Sequence, residues 1–114
     1  MKRGEGWVTN LPPLGGSEQY GTRPVVIVSN DKFNLNVRWR TIIAVSVTTS
    51  PNLSQLGSVA ELPKGVANLK ADSFALCHQV FVIDKTKLTA LIGELPTKNL
   101  KDVEFALKTA LYLR

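Results

Sequence analysis

The sequence predicts a mainly β fold of the α+β type: a small, strongly bent antiparallel sheet with one helix at its C-terminus. The apolar, β-branched run at residues 25–28 is typical of a strand that is covered on both faces. Other short apolar segments alternate with loops that carry most of the glycine, proline and asparagine. The last segment repeats apolar residues at helical spacing. A chain of 114 residues has room for one compact core, so we expect residues 1–114 to form a single domain.

The strands are expected, in chain order, near residues 6–10, 23–30, 40–49, 58–62, 74–83 and 89–95. Pro24 is placed at the first residue of the second strand, where its missing N–H costs least. Asp84 is expected to cap a short helical turn that ends at Leu88, and Thr97 to cap the final helix. The stripe of that helix that packs on the sheet is Leu100, Val103, Leu107, Ala110 and Leu111. Two long polar loops, 9–22 and 50–58, are the segments in which function is expected.

Basic residues outnumber acidic ones, and the net charge is +5 with a pI near 9.6. This balance favours a polyanionic partner, although a basic surface that serves solubility alone explains the charge equally well. The placement of the cations favours RNA, because cations beside flat rings suit phosphates and stacked bases. The residues concerned lie in the first third of the chain: Lys2, Arg3, Arg23, Lys32, Arg38 and Arg40, with Trp7, Tyr20, Phe33 and Trp39.

The few reactive side chains exclude several enzyme classes. One histidine, His78, and one cysteine, Cys77, cannot assemble a zinc site of the usual ligand number or a two-histidine nuclease centre. Neither a Gly-x-Ser-x-Gly elbow nor a Walker phosphate loop is present. Cys77 is expected to point into the core, which turns its strand neighbour His78 outward.

Composition also indicates where the protein works. No apolar run approaches the roughly 18 residues that cross a bilayer, and the first residues lack the apolar stretch of a secretory signal. A single cysteine cannot form an internal disulfide. We therefore expect a protein of the reducing cytoplasm that has no membrane partner.

A glycine-rich loop leads into the strand at residues 25–28 and places Arg23 at its start. Segment 3–31 around this loop resembles the opening of the MazF/PemK toxins, the mRNA interferases of type II toxin–antitoxin systems. The matching motifs keep the family's order and spacing: Arg3-Gly4-Glu5-Gly6-Trp7-Val8, Gly16-Ser17-Glu18-Gln19 and Gly21-Thr22-Arg23-Pro24-Val25-Val26-Ile27-Val28-Ser29-Asn30. The resemblance continues in residues 41–50, at Gln79, in residues 84–88 and in the closing helix.

This resemblance implies the SH3-like barrel of the CcdB, Kid and MazF toxins. It implies an endoribonuclease that cleaves single-stranded RNA, chiefly mRNA, without metal or cofactor. The 2′-hydroxyl of the RNA attacks, and the products are a 2′,3′-cyclic phosphate and a 5′-hydroxyl. It also implies a homodimer in the bacterial cytoplasm, inhibited by a cognate antitoxin protein.

The resemblance assigns the catalytic pair to Arg23 and Thr48. A guanidinium keeps its proton and can fork onto two phosphate oxygens, and a threonine hydroxyl can donate to the same group. His78 is a third candidate, because it stands where relatives carry an acidic residue and histidine titrates near neutral pH. The RNA-binding residues implied are Ser17, Glu18, Gln19, Thr22, Thr49, Ser50 and Gln79. The chain departs from the family pattern at Leu76-Cys77-His78-Gln79, at Ser17 and at Phe81.

Two other function classes stay open on the sequence. A non-enzymatic poison of DNA gyrase has the same fold, but such poisons end in Trp-Gly-Ile, whereas this chain ends in Ala110-Leu111-Tyr112-Leu113-Arg114. A binding module for RNA or protein that has lost its activity is the other alternative.

Overall fold

The computed structural model describes residues 1–11, 21–50 and 58–114. These residues form six strands: β1 (Glu5–Leu11), β2 (Gly21–Ile27), β3 (Thr41–Thr48), β4 (Val59–Leu62), β5 (Ser73–Asp84) and β6 (Leu88–Glu94). A short helix, α1 (Asp31–Asn34), lies between β2 and β3, and helix α2 (Thr97–Leu111) follows β6. Single 3-10 turns span Val66–Asn68 and Lys85–Lys87. The predicted mainly β fold with a C-terminal helix is confirmed.

The strands form one antiparallel sheet in the order β4-β5-β3-β2-β1-β6. Since β4 and β6 are its edges, the sheet formed by the described residues is bent but not closed. The structure therefore shows a bent, open sheet where the resemblance implies a barrel. A bulge on β5 contributes to the bend. Val45 of β3 pairs with Val80 and the next residue, Ser46, pairs with Leu76, so the register of β3 with β5 skips residues 77–79.

Two hydrophobic cores lie on opposite faces of the central strands. Val26 belongs to the first core, which is covered by α2, while Val25 and Ile27 belong to the second. All three side chains are at most 3% exposed, so the prediction of a strand covered on both faces is confirmed. The helix stripe is confirmed at Leu100, Val103 and Leu107, which pack on the first core. It is wrong at Leu111, which is half exposed near the end of the helix.

Three local predictions at element ends need correction. Pro24 is the fourth residue of β2, because pairing with β1 extends the strand back to Gly21. The proline is tolerated there, since pairing of β2 with β3 begins only at Val25. Thr97 does not cap α2: Pro96 holds the cap position, and its carbonyl accepts from the Leu100 N–H at 3.0 Å. The Asp84 cap is confirmed, because its carboxylate accepts from the Thr86 N–H at 2.9 Å.

Helix α1 was not expected. Asn30 caps it by accepting from the Lys32 N–H at 2.8 Å. Asn34, which is buried, donates to the Ser29 carbonyl at 2.7 Å, and Asp31 accepts from the Arg3 N–H at 2.7 Å. These bonds tie the segment after β2 to the N-terminus. Among the described residues, no helix is long and apolar enough to cross a membrane.

Candidate active site

Arg23 and Thr48 lie at the same end of two neighbouring strands. The register between β2 and β3 pairs Val25 with Ser46 and Ile27 with Ala44. This pairing ends at Val25 and Ser46, and Arg23 and Thr48 each lie two residues further along their strands. Side chains alternate along a strand, so both point to the face of the second core, the face opposite α2. The two predicted catalytic residues therefore lie at the same end of neighbouring strands and on the same face of the sheet.

Thr48 is held in one orientation by its surroundings. Its residue is only 6% exposed, and its Oγ1 accepts a hydrogen bond from the Ser50 N–H at 3.2 Å. A hydroxyl that already accepts keeps its single proton for donation. Thr48 therefore keeps a hydroxyl proton that it can donate, while Arg23 on the neighbouring strand is half-buried.

The same level of the sheet carries three more side chains that sequence reasoning missed. Arg23 pairs with Thr9 of β1, and Thr48 pairs with Phe74 of β5, which in turn pairs with Glu61 of β4. Since Ala60, Leu62 and Ala75 belong to the first core, alternation puts Phe74 and Glu61 on the face of Arg23 and Thr48. Glu61 is exposed, and it brings a carboxylate to this row about 10 Å from Thr48. No sequence signal could have found it, because β5 lies between β3 and β4.

The bulge on β5 presents His78 and Gln79. Cys77 is completely buried in the first core and its backbone N–H donates to the Ser58 carbonyl at 3.0 Å, while His78 is exposed. The predicted inward cysteine and outward histidine are thus confirmed. The bulge is two to three residues from Thr48 along the strands, or about 7–10 Å. His78 therefore lies near the Arg23 and Thr48 pair but not in contact distance of it by register alone.

Burial gives Cys77 a structural environment. Desolvation raises the pKa of the Cys77 thiol to about 12. A thiol that stays protonated is a poor nucleophile. Cys77 is thus part of the core packing between β5 and α2, where its Sγ lies 3.7 Å from the Val103 carbonyl.

The predicted RNA-binding residues fall into two groups. Thr22, Thr49 and Ser50 lie at the strand ends next to Arg23 and Thr48, and Gln79 lies in the bulge. Ser17, Glu18 and Gln19 lie outside the described residues. The predicted loop 9–22 is shorter than expected at its described ends, since β1 reaches Leu11 and β2 begins at Gly21. The described ends of the predicted loop 50–58 are confirmed, since β3 ends at Thr48 and β4 begins at Val59.

The basic and aromatic residues of the first third do not share one surface. Arg3 is structural, because its guanidinium pairs with Glu104 of α2 at 2.9 Å and donates to the Val28 carbonyl at 3.0 Å. Trp7 packs on the second core and donates to Glu5 at 3.0 Å. Contacts of these two residues with RNA stay a prediction. Within residues 1–11, 21–50 and 58–114, no group of three or more His, Cys, Asp and Glu side chains could hold a metal ion.

Solved toxin structures share this fold over nearly the whole chain. An endoribonuclease in complex with its cognate antitoxin, from a mycobacterial species, superposes with a TM-score of 0.80 at 23% identity and covers 100% of this chain and 97% of that chain. MazF from Deinococcus radiodurans superposes with a TM-score of 0.80 at 21% identity, covering 99% and 97%. The bent sheet with its C-terminal helix is therefore the fold of the MazF-type toxins.

Sequence comparison gives the family. The family described as PemK-like, MazF-like toxin of type II toxin–antitoxin systems matches residues 2–111, and the chain belongs to it. The endoribonuclease MazF of Staphylococcus saprophyticus subsp. saprophyticus is 34% identical over 113 residues, which are 99% of this chain and 92% of that protein. The chain is a MazF endoribonuclease homologue and a toxin of the toxin–antitoxin type, as the resemblance implied.

Proposed function

We propose that this protein cleaves single-stranded RNA by the attack of the RNA's own 2′-hydroxyl and needs no metal ion. The observation that supports the proposal is that Arg23 and Thr48 lie at the same end of β2 and β3, on one face of the sheet. Family membership supports RNA as the substrate, since a 34% identical relative is an endoribonuclease. A guanidinium and a hydroxyl at this end of the sheet suit a phosphate that gains negative charge.

The proposed reaction is an in-line transfer at phosphorus. The 2′-oxygen forms a bond to the adjacent phosphorus and gives up its proton, and the bond from phosphorus to the 5′-oxygen of the next nucleotide breaks. That oxygen takes up a proton, so the products are a 2′,3′-cyclic phosphate and a 5′-hydroxyl. Arg23 binds two non-bridging oxygens, and Thr48 donates to one of them. Both groups stabilise the charge that builds on the phosphorane.

Proton transfer is assigned to the end of the site nearest the bulge. His78 is exposed, lies within about 10 Å of Thr48 along the sheet, and is the only histidine of the chain. We propose His78 as the group that exchanges a proton with the 2′-oxygen or the 5′-oxygen. The RNA strand is positioned around this centre by the predicted RNA-binding residues. These are Ser17, Glu18, Gln19, Thr22, Thr49, Ser50 and Gln79.

The biological setting follows from the family. The similar structures include complexes, among them an endoribonuclease with its cognate antitoxin and a MazE–MazF pair from Deinococcus radiodurans. We propose that residues 1–114 act as a single toxin domain, that the toxin is a homodimer, and that an antitoxin blocks it. We also propose that it acts in the bacterial cytoplasm, where its RNA substrate lies.

The test uses purified protein and two synthetic RNAs. The first is a single-stranded RNA that the protein cleaves, and the second carries one deoxynucleotide on the 5′ side of the same scissile bond. We expect cleavage of the first in EDTA and no cleavage of the second at that bond, because the nucleophile is missing. Cleavage of the deoxy substrate at the same bond would refute the mechanism.

Arg23 is tested in the same assay. Arg23→Ala should lower the cleavage rate by about 100- to 1,000-fold, the usual effect of removing a donor to a transition-state oxyanion. Arg38→Ala is the matched control, since Arg38 is an exposed arginine outside this end of the sheet. Equal rates in the two variants would remove Arg23 from the site.

A further inference from the structure

A cavity lies at the end of β3 opposite to Thr48. Its volume is about 660 Å³, and Trp39, Arg40 and Lys85 are among the residues that line it. Pockets that hold small organic molecules have volumes of about 300–1,000 Å³. Met1 also lines the cavity and packs on the second core. The cavity therefore adjoins the same face of the sheet as Arg23 and Thr48, about 20–25 Å away along β3.

The wall of this cavity is held in place by Lys85. The Lys85 ammonium donates to the carbonyls of Phe33 and Asn36, both at 3.1 Å. The Lys85 backbone N–H donates to the Arg40 carbonyl at 2.8 Å, and the Trp39 N–H donates to the Asn36 carbonyl at 3.0 Å. The segment from Phe33 to Arg40 is thus fastened at both ends to the end of β5. Because this segment is already ordered, its side chains lose little conformational entropy when a ligand binds.

Trp39 forms a flat platform on this wall. The ring of Phe33 lies 4.9 Å from the Trp39 ring, centroid to centroid, with an interplanar angle of 47°. This contact covers part of the indole, and Trp39 is still 49% exposed. A large aromatic ring that is packed on one side and open on the other suits the stacking of a nucleobase.

The charges beside the platform favour an anionic ligand. Arg40 is exposed and Lys85 is half-buried, and both line the cavity. The lining carboxylate is Asp84, which already accepts from the Thr86 N–H at 2.9 Å and from the Thr86 hydroxyl at 2.7 Å. The cavity therefore combines an open ring with an arginine fork, and a nucleotide offers a base to the first and a phosphate to the second.

We propose that the Trp39 cavity binds one nucleotide of single-stranded RNA, with its base stacked on Trp39 and its phosphate on Arg40. This inference rests on the proposed function, because the nucleotide belongs to the RNA that extends from the Arg23 and Thr48 pair. The cavity is a second contact point that holds a long RNA at a distance from the cleaved bond. An acidic protein segment would need the cations but would leave the exposed indole without a flat partner.

The experiment measures binding to an RNA that cannot react. Trp7→Phe leaves Trp39 as the one tryptophan, so its emission reports on the cavity. A fluorescently labelled 2′-O-methyl single strand long enough to span both sites is titrated, and anisotropy follows total binding. We expect saturable quenching of Trp39 with the same midpoint as the anisotropy. Loss of the platform in Trp39→Ala should weaken binding by about 5- to 150-fold.

Arg40→Gln supplies a second variant that leaves the ring pair intact. It should weaken binding and lower the slope of log affinity against log salt by about one, as expected for one lost phosphate contact. Arg38→Gln is the control on the same segment, since Arg38 does not line the cavity, and it should keep the wild-type slope. Melting curves of all variants report on folding.

Each outcome decides the proposal. Binding by anisotropy with no quenching of Trp39, and with equal slopes for the two arginine variants, would overturn the cavity site and leave the proposed function standing. Quenching by a poly-glutamate peptide but not by RNA would replace RNA with a protein partner. Absence of any RNA binding would overturn both the cavity site and the proposed function.

Discussion

Replacing Thr48 by valine separates its proposed chemical role from its structural one. The two side chains have nearly the same shape, so the substitution removes the hydroxyl and little else. In the folded protein that hydroxyl accepts one hydrogen bond, from the Ser50 N–H at 3.2 Å, and the residue is 6% exposed. Loss of one such bond costs about 0.5–1.5 kcal/mol of folding free energy. For a chain of this size the melting temperature should fall by only about 2–6 °C.

The expected effect on the reaction is larger. Removing a donor to the phosphorane should reduce the cleavage rate by about 100- to 1,000-fold, which corresponds to about 2.7–4 kcal/mol of the activation free energy. Thr48→Ser is the matched control, because it keeps the hydroxyl and loses a methyl group. It should be active but less stable, by about 1 kcal/mol. The rate on an RNA substrate and the melting temperature are measured for both variants.

The pair of variants gives an unambiguous result. Both variants should fold and melt a few degrees below the wild type, and only the serine variant should be active. A valine variant that cleaves at the wild-type rate, or a serine variant as inactive as the valine one, would refute the assignment of the hydroxyl.

Three further predictions concern the bulge, the core and the turn after β4. If His78 transfers a proton, His78→Gln should cause a large loss of cleavage rate at an unchanged melting temperature; an unchanged rate makes His78 structural. Since Cys77 is completely buried and its pKa is about 12, a thiol reagent at pH 8 should label the unfolded chain but not the native protein, and labelling of the native protein at the rate of free cysteine would contradict that burial. A Cβ at Gly93 would lie 2.7 Å from the Ala67 carbonyl, so Gly93→Ala should destabilise by up to about 3 kcal/mol. Gly65→Ala meets open space and has only its φ of +94° to strain it, so it should melt at a higher temperature than Gly93→Ala; the reverse order would show that the turn yields easily.

The elements that the sequence predicts best carry their own repeat. The stripe around Val103 and the apolar run around Val26 are visible without knowledge of any partner, because burial on one helix face or on both strand faces leaves a periodic pattern. Helix α1 has four residues and no such repeat. Its bonds reach back to Arg3, 28 residues earlier, and a contact at that separation leaves no local signal.

Some residues of the candidate site can likewise be predicted from the sequence, and others cannot. Arg23 and Thr48 could be named because each stands in a motif at a strand end. Phe74 and Glu61 could not, because their place beside Thr48 depends on β5 lying between β3 and β4. The first residue of α2 could not be predicted for the same reason. The position of its cap residue, Pro96, depends on the hydrogen bond from the Leu95 N–H to the Gly4 carbonyl at 2.9 Å. The positions of Phe74, Glu61 and Pro96 are thus set by contacts between residues far apart in sequence, and not by local propensity.

The bulge on β5 has a consequence for how this scaffold can diversify. On either side of residues 77–79 the pairing of β3 with β5 is regular, from Thr41 with Asp84 to Val45 with Val80, and from Ser46 with Leu76 to Thr48 with Phe74. The residues that the register skips separate two stretches of regular pairing. Exchange of His78 and Gln79 leaves both stretches aligned, so selection can change the side chains of the bulge while the pairing of β3 with β5 is inherited intact.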